Sequence, residues 1–346
     1  MELPQLKEIL EKIKQVKVAV YGDFCLDAYW FLDPRGGEIS AETGLQSQAV
    51  KKHYYTLGGA ANVVANLAAL EPAKIRVIGA IGNDIFGREL SRQFKELGVD
   101  IKSLAIQDEN FDTVTFSKII LDGQEQPRMD FGFFNQRSKL TDDKIIIDLT
   151  DALQKSNVLI FNQQVPGSLN SERFIFDVNL ILNQFNEKIV LLDTRHYGDQ
   201  FKNIYRKTNS VEAAQLNGID AKVLDQISLD DTKKHAQKLY DKSGKPVFIT
   251  RGSKGILVVD RYGSHEIPGI EFNKPIDPVG AGDTVVSALA LCLGSGFKPV
   301  EAAEFANLTA AVTVQKLFMT GTASGKEMLD LCQEIGYIEL PNNYIY

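Results

Sequence analysis

Three cysteines in 346 residues, Cys25, Cys292 and Cys332, are too few, too far apart and too odd in number for a disulfide framework or a cysteine-based zinc site. Reduced, mostly buried thiols are expected instead. Apolar runs are short as well. The best of them, VVSALALCLG at 285–294, falls well below the length that crosses a bilayer. The opening MELPQLKEILEKIKQ scatters charges among its apolar positions and lacks the apolar stretch of a secretory leader. Positive charge is scarce: 38 Lys and Arg face 45 Asp and Glu, a net charge of -7. That balance repels a phosphate backbone and argues against nucleic acid as a partner, while leaving room for a local basic pocket. Low-complexity stretches, internal repeats and linkers are missing too. What remains is a cytoplasmic globular protein with neither membrane nor nucleic acid as partner, organised as a single domain over 1–346.

Hydrophobic residues make up 44% of the chain and charged residues 24%, the balance of a sequence that buries a core. Leu6, Ile9, Leu10 and Ile13 recur at helical spacing. VKVAVYGD (16–23) reads as a buried strand. GGAANVVANLAAL (58–70) is small and apolar, as a helix pressed on a sheet would be. IRVIGAIG (75–82) is another strand; Phe86, Leu90, Phe94 and Leu97 mark the next helix, and Gly98 stands where its C-terminal cap belongs. Apolar runs at 157–161, 188–193 and 246–250 predict further strands. The alternation predicts an α/β fold, a mostly parallel sheet with helices on both faces. Residues 28–57 and 111–134 break the rhythm. They are richer in aromatics and alternating polar residues, as in TVTFSKIILDG, and predict strands outside the main sheet that form a small lid.

The strongest chemical signal is Asp277-Pro278-Val279-Gly280-Ala281-Gly282-Asp283-Thr284, just before an apolar helix. A glycine-rich turn opening a helix leaves backbone N–H groups unpaired and facing forward, and the helix dipole adds partial positive charge. That is a seat for phosphate. Gly280 and Gly282 let the backbone come close to a phosphate oxygen. Asp283 beside that seat is poorly suited to holding an anion and well suited to taking a proton from an attacking hydroxyl. A plain helix cap is the alternative reading.

This octapeptide resembles the C-terminal signature of the ribokinase-like sugar kinases, the phosphofructokinase-B type family. Gly79-Ala80-Ile81-Gly82-Asn83-Asp84-Ile85-Phe86-Gly87 is similar to its earlier signature, Gly58-Gly59-Ala60-Ala61-Asn62 to its substrate-side motif, and Asn209-Ser210-Val211-Glu212 to its Asn-x-x-Glu. All four lie in the family's order and span most of the chain. The resemblance implies a Rossmann-like ribokinase fold and an ATP-dependent phosphotransferase. Asp283 would be the general base, and the Gly280, Ala281 and Gly282 backbone the anion hole. Asp23, Asp27, Gly58, Gly59 and Asn62 would hold sugar hydroxyls; carboxylates accept two hydrogen bonds from a diol. Asn209 and Glu212 would order magnesium, through water, at the nucleotide phosphates. Arg195, Thr250, Gly252, Ser253, Gly255 and Asn307 would border the nucleotide. Asp277 and the Val279 carbonyl match one side of a monovalent cation site, potassium in the family, whose other side would come from the loop around Gly321 and Ser324.

Within the family, VYGDFCLDAYW, GGEISAET and LGGAANVVANLAAL, and later VDRYGSHEIPG with DPVGAGDTVVSALA, resemble the bacterial heptose-7-phosphate kinases. The middle departs from them. Asn162-Gln163-Gln164-Val165-Pro166-Gly167 replaces their Asp-Tyr-x-Lys-Gly, and Asp193-Thr194-Arg195 their Asp-Pro-Lys. Arg195 keeps a positive charge with forked geometry. The acceptor is therefore a sugar or a sugar phosphate, with Lys118, Arg128 and Arg137 of the expected lid as candidate phosphate contacts. A homodimer through the lid is a further expectation of the resemblance. The rival reading is a kinase fold used as a non-catalytic sugar sensor, which has no need to keep Asp283 beside an intact anion turn.

Overall fold

The computed structural model describes residues 1–165, 171–196, 198–317 and 320–334. Helix α1 (Leu3–Ile13) leads into strands β1 (Lys17–Gly22), β2 (Phe24–Asp33) and β3 (Ala49–Gly59). Helix α2 (Ala60–Ala69), strand β4 (Lys74–Gly82), helix α3 (Ile85–Glu96) and strand β5 (Asp100–Gln107) follow. Next come β6 (Thr115–Leu121), β7 (Gln124–Glu125), β8 (Met129–Phe131), α4 (Lys139–Lys155), β9 (Val158–Gln163), α5 (Glu172–Gln184), β10 (Ile189–Thr194), β11 (Tyr205–Asn209) and α6 (Ser210–Gln215). The chain continues through α7 (Leu229–Ser243), β12 (Val247–Thr250), β13 (Ile256–Asp260), β14 (Gly263–Ile267), α8 (Ala281–Gly294), α9 (Pro299–Thr313) and α10 (Gly325–Glu334).

The main sheet has nine strands in the order β14-β13-β12-β11-β10-β9-β1-β4-β5. Neighbours from β5 to β12 run parallel, and β13 and β14 close one edge antiparallel. Both faces are covered, as the alternation of apolar strands with helical patterns predicts. Along β1, Val18 and Val20 join a core with α1, α2, α8 and α9, while Ala19 and Tyr21 join a second core with α4 and α5. A strand buried on both faces needs apolar residues at every position, and VAVY supplies them. Burying each of the two valines stabilises the fold by roughly 1.5–3 kcal/mol relative to exposure.

β1 passes into a second sheet through the single residue Asp23. That sheet has the order β3-β2-β6-β7, with β8 also on β6. β2 pairs antiparallel with β3 and parallel with β6. Its strands begin at Phe24, before the aromatic-rich stretch that marks them in the sequence, because β2 opens on apolar residues indistinguishable from the end of β1. Arg137 corrects the sequence reading. It lies beyond this sheet, just before α4, with its side chain buried: it donates to the Tyr21 hydroxyl at 2.9 Å, pairs with Asp142 at 2.7 Å and covers the Phe174 ring at 4.3 Å. It braces the α4–α5 core and is no lid cation.

Helices α2 and α8 meet along a seam of small residues. Thr284 Oγ1 donates to Asn66 Oδ1 at 2.8 Å, and Ser287 Oγ to the Val63 carbonyl at 3.0 Å. These bonds satisfy polar groups that burial would otherwise penalise, and they fix the two helix starts relative to each other.

Candidate active site

The parallel strands deliver their ends to one edge of the sheet. Asp23 follows β1; Asn162 and Gln163 end β9; Asp193 and Thr194 end β10; Asn209 ends β11; Thr250 ends β12. Open α/β sheets bind ligands outside those carboxyl ends.

The 277–284 turn lies at the start of α8. Gly280 caps the helix with φ +80°, a conformation that favours glycine. Asp283 is therefore inside the first turn and is not the cap. Its Oδ2 accepts from Asn62 Nδ2 at 2.7 Å. Asn62 is not a cap either, since Gly59 holds that position in α2. Burial, opposed by the Asn62 hydrogen bond, pushes the Asp283 carboxyl up to about 6. The nearby Asp193 charge adds to the rise, and Lys207 and Arg195 oppose it. A carboxylate so tuned is deprotonated at neutral pH yet more basic than an exposed one.

Beneath the turn lies a buried group that the sequence reading did not single out. Lys207, 8% exposed, donates to both oxygens of Asp193 at 3.1 Å, and Asn162 Nδ2 donates to Asp193 Oδ2 at 3.2 Å. A methyl group placed on Gly282 would sit 3.0 Å from the Lys207 ammonium. The carboxylates of Asp193, Glu212 and Asp283 together outweigh burial and raise the Lys207 pKa, so the group is charged. The available signal was a lysine within the strand YRKTN, two residues before Asn209.

On the other side, Asp23 is buried and its Oδ2 accepts from the Val165 N–H at 3.2 Å; burial pushes its carboxyl up to about 6 against that bond. Asp27 Oδ2 accepts from Lys118 Nζ at 3.1 Å, and Lys118 also donates to the Tyr29 hydroxyl at 3.1 Å. Gly58 lies over Asp27, where a methyl would come within 3.3 Å of the carboxylate, and Gly59 has φ +52° against the Asp23 carbonyl. Arg128 pairs with Asp130 and covers the Phe116 ring at 4.3 Å. Asp23 lies between β1 and β2, Asp27 is on β2, Gly58 and Gly59 end β3 and Asn62 is in the first turn of α2, so these residues gather where the two sheets join, while Pro166 and Gly167 lie outside the described residues.

Asn209 caps α6 and forms a capping box with Glu212: the Glu212 N–H donates to Asn209 Oδ1 at 2.8 Å, and the Asn209 N–H to Glu212 Oε2 at 2.9 Å. Thr208 Oγ1 donates to the same Oε2 at 2.9 Å. Among the described residues no group of three or more His, Cys, Asp or Glu side chains is placed to hold a metal directly. A divalent cation at this cap would have to keep its waters and meet the single carboxylate of Glu212.

Thr250 Oγ1 donates to the Thr208 carbonyl, and the loop after it turns through Gly252 at φ +59° and Gly255 at φ +86°. A methyl on Gly255 would collide with the Ile267 carbonyl, so this loop packs backbone to backbone on 267–269. Ser253 is exposed on it. Asn307 donates to the Pro268 carbonyl at 2.9 Å and braces the same segment from α9. Arg195 is exposed at the end of β10, near enough to lower the Asp283 pKa. Asp277 Oδ1 accepts from the Val279 N–H at 3.0 Å, and the Asp277 N–H donates to the Val314 carbonyl at 2.7 Å. In the facing loop, Ser324 forms a reciprocal cap with Glu327, and Lys316 donates to the Thr322 carbonyl at 2.6 Å. Phe318 and Met319 of that loop lie outside the described residues.

A mostly parallel sheet with helices on both faces, a second sheet beside its strand ends and an aspartate in a glycine-rich helix start define the ribokinase-like carbohydrate kinases. The model of the pfkB family carbohydrate kinases matches residues 15–323, and the chain belongs to that family. It is 32% identical over 309 residues to the "Bifunctional protein HldE" of Helicobacter hepaticus, covering 88% of this chain and 61% of that protein. The protein of the same name from Wolinella succinogenes is 32% identical, with 89% and 63% covered. The chain thus spans somewhat under two thirds of these relatives. Arabidopsis thaliana ribokinase, solved with ribose and ATP, shares the fold at a TM-score of 0.69 and 18% identity, covering 92% of this chain and 98% of that one. Thermotoga maritima ribokinase gives 0.66 at 20%, with 92% and 99% covered. Among the described residues no helix is long and apolar enough to cross a membrane.

Proposed function

We propose that the protein transfers the γ-phosphate of ATP to a hydroxyl of a sugar or sugar phosphate, with Asp283 as general base. The observation that carries this reading is the Asn62–Asp283 hydrogen bond at 2.7 Å, which joins the substrate-side helix to the anion turn. Asp23, Asp27 and Asn62 orient the acceptor. Its hydroxyl oxygen forms the new bond to the γ-phosphorus, and its proton passes to Asp283. The bond from phosphorus to the bridging oxygen breaks, and its electrons leave with ADP. The backbone N–H groups of Gly280 to Gly282 stabilise the transferring charge. Asn209 and Glu212 would hold magnesium through water, where it would supply countercharge to the nucleotide phosphates, and Asp277 with the Val279 carbonyl would hold potassium beside the turn. The second sheet acts as the lid, which excludes water. Lys118, charged and lodged between Asp27 and Tyr29, suits an acceptor carrying a phosphate as well as hydroxyls.

ATP consumption is measured with magnesium and potassium across a panel of free sugars and sugar phosphates, with Asp283→Asn as control. An acceptor that stimulates ATP use only in the unsubstituted protein supports the reading. Equal turnover by Asp283→Asn removes the base assignment.

A further inference from the structure

We propose that Lys207 is a catalytic residue whose ammonium contacts the transferring phosphoryl group from beneath the anion turn. The inference deepens the kinase reading and rests on it. Three observations converge. First, the ammonium lies against Gly282, where one added methyl would stand 3.0 Å away, so it faces the backbone that offers its N–H groups to phosphate. Second, it is held there by both oxygens of Asp193, itself 4% exposed and fixed by Asn162. An ammonium has three donors, and these bonds leave at least one for a ligand. Both bonds are 3.1 Å, long for a charge-assisted pair, so the lysine is strapped to Asp193 without being saturated by it. Third, the side chain rises from β11 while its partner Asp193 belongs to β10 and Gly282 to α8, so three elements meet at the amine. A buried pair kept for stability alone gains little over apolar residues of the same volume. An amine donor held beneath a glycine turn, by contrast, adds a further N–H to the backbone dipoles where negative charge must be held.

The lysine is placed to do two things. It binds an equatorial oxygen of the phosphoryl group during transfer, and it holds Asp283 ionised beside that group. The groups bearing on Asp283 are Asn62, Asp193, Lys207 and Arg195; of the two cations Lys207 is buried and Arg195 exposed, and the buried Asp193 carboxylate opposes them.

The test compares Lys207→Met, Asp193→Asn and the double variant for kcat, KM, melting temperature and affinity for ATP and ADP. Lys207→Met is expected to lower kcat on the order of 100-fold or more, the scale of losing one transition-state donor, with the acceptor KM little changed. Its affinity for ATP should fall while that for ADP holds, because only ATP brings a γ-phosphate. Asp193→Asn leaves the amine in place but removes the carboxylate that fixes it, and should lower kcat less than Lys207→Met does. The double variant removes the unpaired buried charge, so its melting temperature should recover while kcat stays low. A double variant that recovers both stability and turnover overturns the proposal and leaves the pair a structural one. So does equal weakening of ATP and ADP. Failure of the unsubstituted protein to phosphorylate any acceptor would instead strike the kinase reading itself.

Discussion

The Asn62 amide donates to Asp283 at 2.7 Å across 221 residues of sequence, so a residue proposed to orient the acceptor also bears on the acidity of the proposed base. The bond favours the ionised carboxylate and holds its pKa below where burial alone would put it. Turnover of the unsubstituted protein should fall as pH drops through about 6. In Asn62→Ala that acidic limb should move to higher pH, with kcat at neutral pH reduced roughly 10-fold or more. A pH–rate profile of both proteins decides it; an unmoved limb would show that the bond does not tune the base.

Asp283→Asn should be more stable than the parent at pH 8. The folded-state pKa lies near 6, above the usual aspartate value of 3.8. Between those values the folded form holds more protons than the unfolded one, so stability falls as pH rises through that window. The cost is fully present above about pH 6 and absent below about 3.8. Thermal melts at pH 8 and pH 4.5 should therefore show a gain for the variant that shrinks at the lower pH. An equal gain at both would separate the effect from ionisation.

Glu212→Gln should raise the magnesium concentration needed for half-maximal turnover several-fold. An amide oxygen can still cap Asn209 while offering the metal waters no negative charge. Asn209→Ala should instead cost about 1 kcal/mol of stability through the lost cap. Magnesium titrations beside denaturation curves distinguish the two; a melting shift without a magnesium shift in Glu212→Gln would assign that carboxylate to the cap alone.

Gly280→Ala should lower kcat more than it lowers stability. The positive φ of +80° costs roughly 1–2 kcal/mol for a residue with a β-carbon. The added methyl would also stand 3.1 Å from Asn62 Nδ2 and press on the bond to Asp283. Turnover and melting temperature measured together check this; a loss of stability with unchanged kcat would mean that Asn62 gives way freely.

The alternation of apolar strands and helices was legible because each strand of a doubly covered sheet must be apolar throughout, as VAVY and VLIF are. Strand β11 was not, because YRKTN carries two cations and two polar residues that only tertiary partners make tolerable: Arg206 donates to the Phe201 carbonyl and Lys207 to Asp193. The glycine turn opening α8 was readable from local backbone physics, whereas the sequence leaves open whether Asp283 caps that helix; in the structure Gly280 holds the cap. Arg137 was misplaced because its guanidinium is paired with Asp142 and donates to the Tyr21 hydroxyl, neither of them on a lid strand, and no periodicity announces a buried arginine. The α2–α8 seam was invisible for the same reason: two helices of small residues carry no pairwise label in one sequence.

Strand β1 lies between β4 and β9 and is covered by α8, so the first strand made is enclosed by segments that end near residues 82, 163 and 294. During synthesis it must wait, half-sheltered, until the C-terminal helices emerge. The anion turn arrives with those same helices. A chain that stops short of them would lack both a closed core and the glycine turn.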